Sequence, residues 1–140
     1  MRPHLNHRHL LATLVAAFVT VAGAAESDST LRELLVGTWY ETRVVDCATT
    51  SLKILLKQNG TFEVRSRTEG CGPKSGLTLR GKWEVRAGRF NYTTTYSDPG
   101  SAELVGESFS DEIVSVSPSE WVMIEGSTGK KSIAKRVEKP

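Results

Sequence analysis

Beyond residue 37 the apolar residues of this chain recur at every second position, and Gly, Asn, Asp or Pro punctuates the pattern every 8 to 15 residues. A period of two belongs to half-buried strands rather than helices. The pattern predicts strands near 38–46, 50–57, 61–67, 77–86, 89–96, 104–117 (as one long or one broken strand), 121–126 and 131–137. Ahead of them, Thr30-x-x-Glu33 has the form of a capping box opening one or two helical turns over Leu31–Val36, which Gly37 ends. Eight consecutive strands joined by tight turns point to an all-β, up-and-down antiparallel barrel, with the short helix at one end. A sandwich is the other arrangement this pattern allows.

Two hairpins can be registered from their turns. Ala87-Gly88 reads as a two-residue turn, which sets Arg86 against Arg89, Val85 against Phe90, Trp83 against Tyr92, Gly81 against Thr94 and Leu79 against Tyr96. The apolar and aromatic residues then share one face, and Arg80, Lys82, Glu84, Asn91 and Thr93 share the other. At Asn59-Gly60, a two-residue turn would set Leu56 against Glu63 and mix the faces. A three-residue loop, Gln58-Asn59-Gly60 with Gly60 left-handed, sets Leu56 against Phe62 and Ile54 against Val64. Continued past the regular strands, that register places Cys47 opposite Cys71. Opposed antiparallel residues lie about 4.5–5.5 Å apart at Cα, within disulfide reach.

Composition shifts at residue 25. Met1–Ala25 holds Arg2, Arg8, all three histidines and no acid, followed by a twelve-residue apolar run, Leu10–Val21, and an Ala22-Gly23-Ala24 exit. That is the layout of a secretory signal peptide, and the run is short for a membrane span. No Cys stands at the exit for a lipid anchor. The expectation is cleavage near Ala24–Ala25 and a periplasmic or secreted domain over 26–140, with no membrane anchor. The remaining chain has sixteen basic and sixteen acidic side chains. It lacks the basic excess of nucleic-acid binding proteins.

From Glu26 to Pro140 there is no His. This excludes His-based general base catalysis, Ser-His or Cys-His nucleophiles and imidazole metal ligation. The two cysteines suit a disulfide in an oxidising compartment. Asp111-Glu112 is the only adjacent carboxylate pair and reads as a solvated turn. The expectation is therefore no catalytic residue, no metal and no cofactor.

The helix leading into Gly37-Thr38-Trp39 resembles the G-x-W signature that opens the first strand of lipocalins. Further similarity to small bacterial secreted lipocalin-like domains runs through Leu56-Lys57-x-Asn59-Gly60-Thr61-Phe62, Gly81-x-Trp83-x-Val85 with Gly88-x-Phe90, and Ser117-x-x-Glu120-Trp121-Val122. The resemblance covers Leu34 to Val137. It implies a barrel whose helix closes the floor, with Trp39 beneath a cavity and Arg136 from the last strand laid over it. The chain is shorter than the larger lipocalins, and Thr95-Tyr96-Ser97-Asp98 matches their second motif only loosely. Both departures argue against a large cavity.

The inward set Phe62, Leu79, Trp83, Tyr92, Thr94 and Tyr96 is the candidate lining for a small apolar or aromatic ligand. The competing arrangement is a barrel filled by its own side chains. Charge is segregated: 43–89 carries ten basic and four acidic residues, whereas 98–125 carries seven acidic and none basic. The basic stretch is either a patch for an anionic protein partner or a solvated face balanced by Glu63, Glu69 and Glu84. Strands 121–126 and 131–137 are apolar on both faces, grouped as Trp121, Met123 and Ile133 against Val122, Ile124 and Ala134. The outward group must meet the helix, a second subunit in a homodimer or another protein. Small-ligand binding is the leading reading, and a protein-interaction module such as an inhibitor or envelope accessory is the other.

Overall fold

A computed structural model describes residues 25–137. The expected signal peptide therefore lies outside the described residues, apart from Ala25. Helix α1 (Asp28–Leu35) precedes eight strands: β1 (Gly37–Val45), β2 (Ala48–Leu56), β3 (Thr61–Glu69), β4 (Ser75–Arg86), β5 (Arg89–Ser97), β6 (Ser108–Val116), β7 (Glu120–Ile124) and β8 (Lys131–Arg136). They form a closed antiparallel barrel in chain order. The predicted 104–117 strand is a broken one: a 3-10 turn, Ala102–Leu104, precedes β6.

The helix starts three residues before the expected position. Ser27 is its N-cap, accepting from the Thr30 backbone N–H at 3.2 Å. Thr30 therefore lies inside the first turn, and its hydroxyl shares a 2.9 Å hydrogen bond with Ser27 Oγ. Leu31 and Leu35 point into the barrel, and α1 packs chiefly against β4 and β6. Asp28 anchors the helix to a distant turn: its carboxylate accepts from Ala87 N at 2.7 Å and Gly88 N at 2.9 Å. That contact holds Ala87 at φ 52°, a conformation L-residues seldom adopt.

The β2–β3 register is the one expected, Leu56 opposite Phe62 through Thr49 opposite Glu69, with Gly60 left-handed at φ 82°. Two residues beyond that ladder on each strand, Cys47 and Cys71 form a disulfide with Cα atoms 5.4 Å apart. The β4–β5 hairpin also follows its expected register from Arg86–Arg89 to Gly81–Thr94. There a bulge intervenes, and Arg80 pairs with Tyr96 and Leu79 with Ser97. Thr95 is the extra residue. Gly81 is obligatory at the bulge, because a Cβ there would come within 2.0 Å of the Thr93 carbonyl oxygen and 2.7 Å of the Phe62 ring.

The β7–β8 faces also differ from expectation. Trp121 pairs with Ala134 and Val122 with Ile133. Six residues connect the two strands, and an even number puts Ile133 on the Val122 face rather than with Trp121. Trp121, Met123 and Ala134 consequently point inward together, and all are buried.

Candidate ligand-binding site

The closed end of the barrel is packed solid. Trp39 is fully buried, its indole N–H donates to the Leu35 carbonyl at 2.8 Å, and its ring lies edge-on to Trp121 with centroids 5.9 Å apart. Arg136 lies directly across the β1–β8 ladder from Trp39, its guanidinium carbon 4.2 Å from the ring centroid. The same guanidinium donates to the carbonyls of Leu34, Val36 and Pro118, so it also satisfies the end of α1. Gly37 makes room for it: a Cβ at that position, where φ is 141°, would stand 2.3 Å from the Arg136 nitrogen.

Above this floor lies a cavity of about 170 Å³. Its apolar wall comes from β2 and β3 (Leu52, Ile54, Leu56, Phe62, Val64), from Leu79 and Phe90, and from Trp121 and Met123. Alternation along the strands puts these residues inside, and the rings interlock: Phe90 meets Trp121 at 4.9 Å and Tyr92 at 5.2 Å between centroids. The indole N–H of Trp121 is buried and has no hydrogen-bond partner among the described residues.

The other side of the cavity is charged. Glu41, Arg43 and Asp111 line it beside Tyr92. Glu41, only 4% exposed, accepts from Ser132 Oγ at 2.5 Å and from Arg43 Nε at 2.6 Å. Arg43 also reaches Glu125 at 2.6 Å, so one guanidinium bridges two carboxylates. Burial opposes the charge on Arg43, but the Glu41 hydrogen bond and the two carboxylates outweigh it, and its pKa rises. Asp111 is 7% exposed and accepts one hydrogen bond, from Gly126 N at 3.0 Å. Burial pushes its carboxyl above the usual range. The Gly126 N–H, Arg43 and Arg89 oppose that shift, and Glu125 adds to it. Burial and then the Asp111 charge push the Tyr92 phenol far above its ordinary value.

The six residues expected to line a pocket are divided by the structure. Phe62, Leu79 and Tyr92 line the cavity. Trp83 does not: it is buried nearer the floor, its N–H donates to the carbonyls of Lys57 and Thr61, and Arg32 lies over its ring at 4.8 Å. Thr94 is fully buried away from the cavity, tied through its backbone to Gly106 and Glu107. Tyr96 is outside the barrel and 43% exposed, because the Thr95 bulge reverses its face. There it lies under Arg80 at 5.1 Å and donates to Asp98 at 3.3 Å.

The charged wall is the part that sequence reasoning missed. Asp111 is not in a solvated turn but inside β6, opposite Phe90. A signal was present: Glu41 and Arg43 alternate in step with Trp39, and Asp111 alternates with Phe109 and Ile113.

The outer basic face is compensated in part, through Glu63, Glu69 and Glu84. Lys53 lies opposite Arg65, and Glu63 accepts from Arg65 at 2.6 Å and from Arg80 at 2.9 Å, while Arg67 pairs with Glu69. The Arg80 hydrogen bond, then that of Arg65, hold the Glu63 carboxyl below its ordinary range. A broader depression of about 670 Å³ runs over outward Lys82, Glu84, Asn91 and Thr93, open to solvent. In comparisons with known proteins, no family model and no curated protein matches the chain.

Proposed function

We propose that this chain is a secreted, lipocalin-like barrel that binds a small apolar or aromatic molecule non-covalently. The observation that carries this reading is the cavity of about 170 Å³ between Phe62, Phe90, Met123 and Trp121. A volume of that order accommodates one aromatic ring, and drug-sized ligands need about 300 Å³ or more. The ligand is therefore a single-ring compound or a molecule of similar bulk. Support for the lipocalin-like assignment comes from α1 leading into Gly37-Thr38-Trp39 and from Arg136 stacked on Trp39. The Cys47–Cys71 disulfide and the leader-like segment before Glu26 support export. Among the described residues no helix is long and apolar enough to cross a membrane. The absence of His after residue 9 favours binding over catalysis.

Titration with toluene, followed by chemical shifts of the Phe62, Phe90 and Met123 side chains, tests the proposal. Saturation is expected with a Kd of about 0.1 mM, or about −5.5 kcal/mol. Leu79→Phe should fill the cavity and abolish binding while the protein stays folded. Shifts that never saturate, or that Leu79→Phe leaves unchanged, contradict it.

A further inference from the structure

The charged wall of the cavity is unbalanced. Three carboxylates, Glu41, Asp111 and Glu125, gather round Arg43, and a second guanidinium, Arg89, lies near Asp111 without pairing with it, which leaves one net negative charge. Two of them are matched: Glu41 is held by Arg43 and Ser132, and Glu125 by Arg43 and the Thr128 hydroxyl at 2.9 Å. Asp111 is not. One of its oxygens accepts from Gly126 N; among the described residues the other has no hydrogen bond and no ion pair, although the side chain is more than nine-tenths buried and lines the cavity. Tyr92 lines the same cavity, and no hydrogen bond contributes to its raised pKa, so its hydroxyl is open to a ligand. A carboxylate this far buried, with one hydrogen bond, no ion pair and only the longer-range charges of Arg43 and Arg89 to offset it, is costly, and a cation bound at its free oxygen would relieve that cost.

We propose that the cavity selects a protonated amine carried on a single aromatic or similarly small apolar body, with Asp111 as its counter-charge and the Tyr92 hydroxyl oxygen as a second acceptor. The proposal rests on the reading of this cavity as a ligand site and narrows it to one ligand class. Phe90 and Asp111 are directly opposed across the β5–β6 ladder. A ring packed on Phe90 therefore places a one-carbon aminomethyl arm beside the free Asp111 oxygen. The Glu41–Arg43–Glu125 group carries a net negative charge and favours a cation over an anion at the same point. Burial, which raises the Asp111 carboxyl, is offset when a cation occupies the site.

The test uses benzylamine, toluene and benzoate as probes of one ring size and three charges, titrated into the wild-type protein and into Asp111→Asn at pH 7. Benzylamine is expected to bind about tenfold tighter than toluene, as a charge-assisted hydrogen bond implies, and benzoate the weakest of the three. Asp111→Asn should erase the amine preference, bringing the benzylamine and toluene affinities of the variant to within about twofold of each other. Equal wild-type affinities for benzylamine and toluene overturn the proposal and leave the cavity as a ligand site. Failure of all three probes overturns both. The wild-type protein supplies a second measurement should the variant not fold. Benzylamine affinity should fall about tenfold as pH drops through the Asp111 range, while toluene affinity stays constant. The groups facing Asp111 there are Glu125, Glu41, Arg43, Arg89 and Tyr92. A pH-independent benzylamine affinity also overturns the proposal.

Discussion

At the closed end of the barrel the Trp39 N–H has an acceptor in Leu35, and Arg136 serves three backbone carbonyls while covering the Trp39 ring. At the level of the cavity, Asp111 is nearly as inaccessible, yet it has one hydrogen bond and no ion pair among the described residues. The two regions share strands and a common apolar core, so the difference is not one of local fold. The floor spends its polar groups on holding helix and barrel together. The charged wall keeps a group that costs stability, which is the pattern expected where a site rather than the fold sets the residue. The contrast yields four expectations, the floor losing most on substitution and the wall gaining.

The largest effect is at the floor. Trp39→Ala should cost about 3–5 kcal/mol, the range for truncating a fully buried aromatic, measured by urea unfolding. A loss under 1 kcal/mol would mean that the floor repacks freely. Next is the disulfide at the opposite end. Reduction, or paired Cys47→Ser and Cys71→Ser substitution, opens a link spanning a sequence separation of 24 and should cost about 3.5 kcal/mol on the chain-entropy model. Two titratable thiols in unreduced, denatured protein would contradict the bond itself.

A double-mutant cycle of Trp39→Phe with Arg136→Met should then reveal a coupling of about 0.5–2 kcal/mol. Strict additivity would show that Arg136 acts only through the carbonyls of Leu34, Val36 and Pro118. The smallest effect has the opposite sign. Asp111→Asn keeps an acceptor for Gly126 N–H and removes a buried charge, so stability at pH 7 should be unchanged or raised. The folded-state pKa of Asp111 lies above its unfolded value, so the native state binds that proton more tightly. Wild-type stability should therefore fall as pH rises through the raised Asp111 value, and the variant should lose that part of the slope. A marked destabilisation by Asp111→Asn at neutral pH would place Asp111 with the floor residues, as a structural element.

The legible parts of the sequence were those where turn chemistry and alternation agree. Leu56 and Phe62 fall on one face only with a three-residue loop, and that count alone brings Cys47 opposite Cys71. The two-residue turn at Ala87-Gly88 likewise carried the β4–β5 register as far as Gly81. Beyond it the Thr95 bulge has no local mark except Gly81 itself, whose meaning depends on the Phe62 ring from another strand. The register of β6 was hidden because no turn signal separates 104 from 117 cleanly, and β6 contains a second irregularity between Ile113 and Ser115. Without that register the face shared by Phe109, Asp111 and Ile113 could not be assigned to the barrel interior. The helix start was ambiguous for a different reason: Ser27, Ser29 and Thr30 are all competent caps, and the choice falls to the long-range bond between Asp28 and the Ala87-Gly88 turn.

If the space beside Phe62, Phe90, Trp121 and Met123 takes a ring-sized ligand, iodobenzene soaked into crystals of the protein should enter it, and the anomalous signal of the iodine locates the molecule. One strong internal peak is expected, within van der Waals reach of Phe90 and Met123 and on the side facing Asp111. Iodine found only on the outer surface, with the interior closed by side chains, would overturn the ligand-site reading.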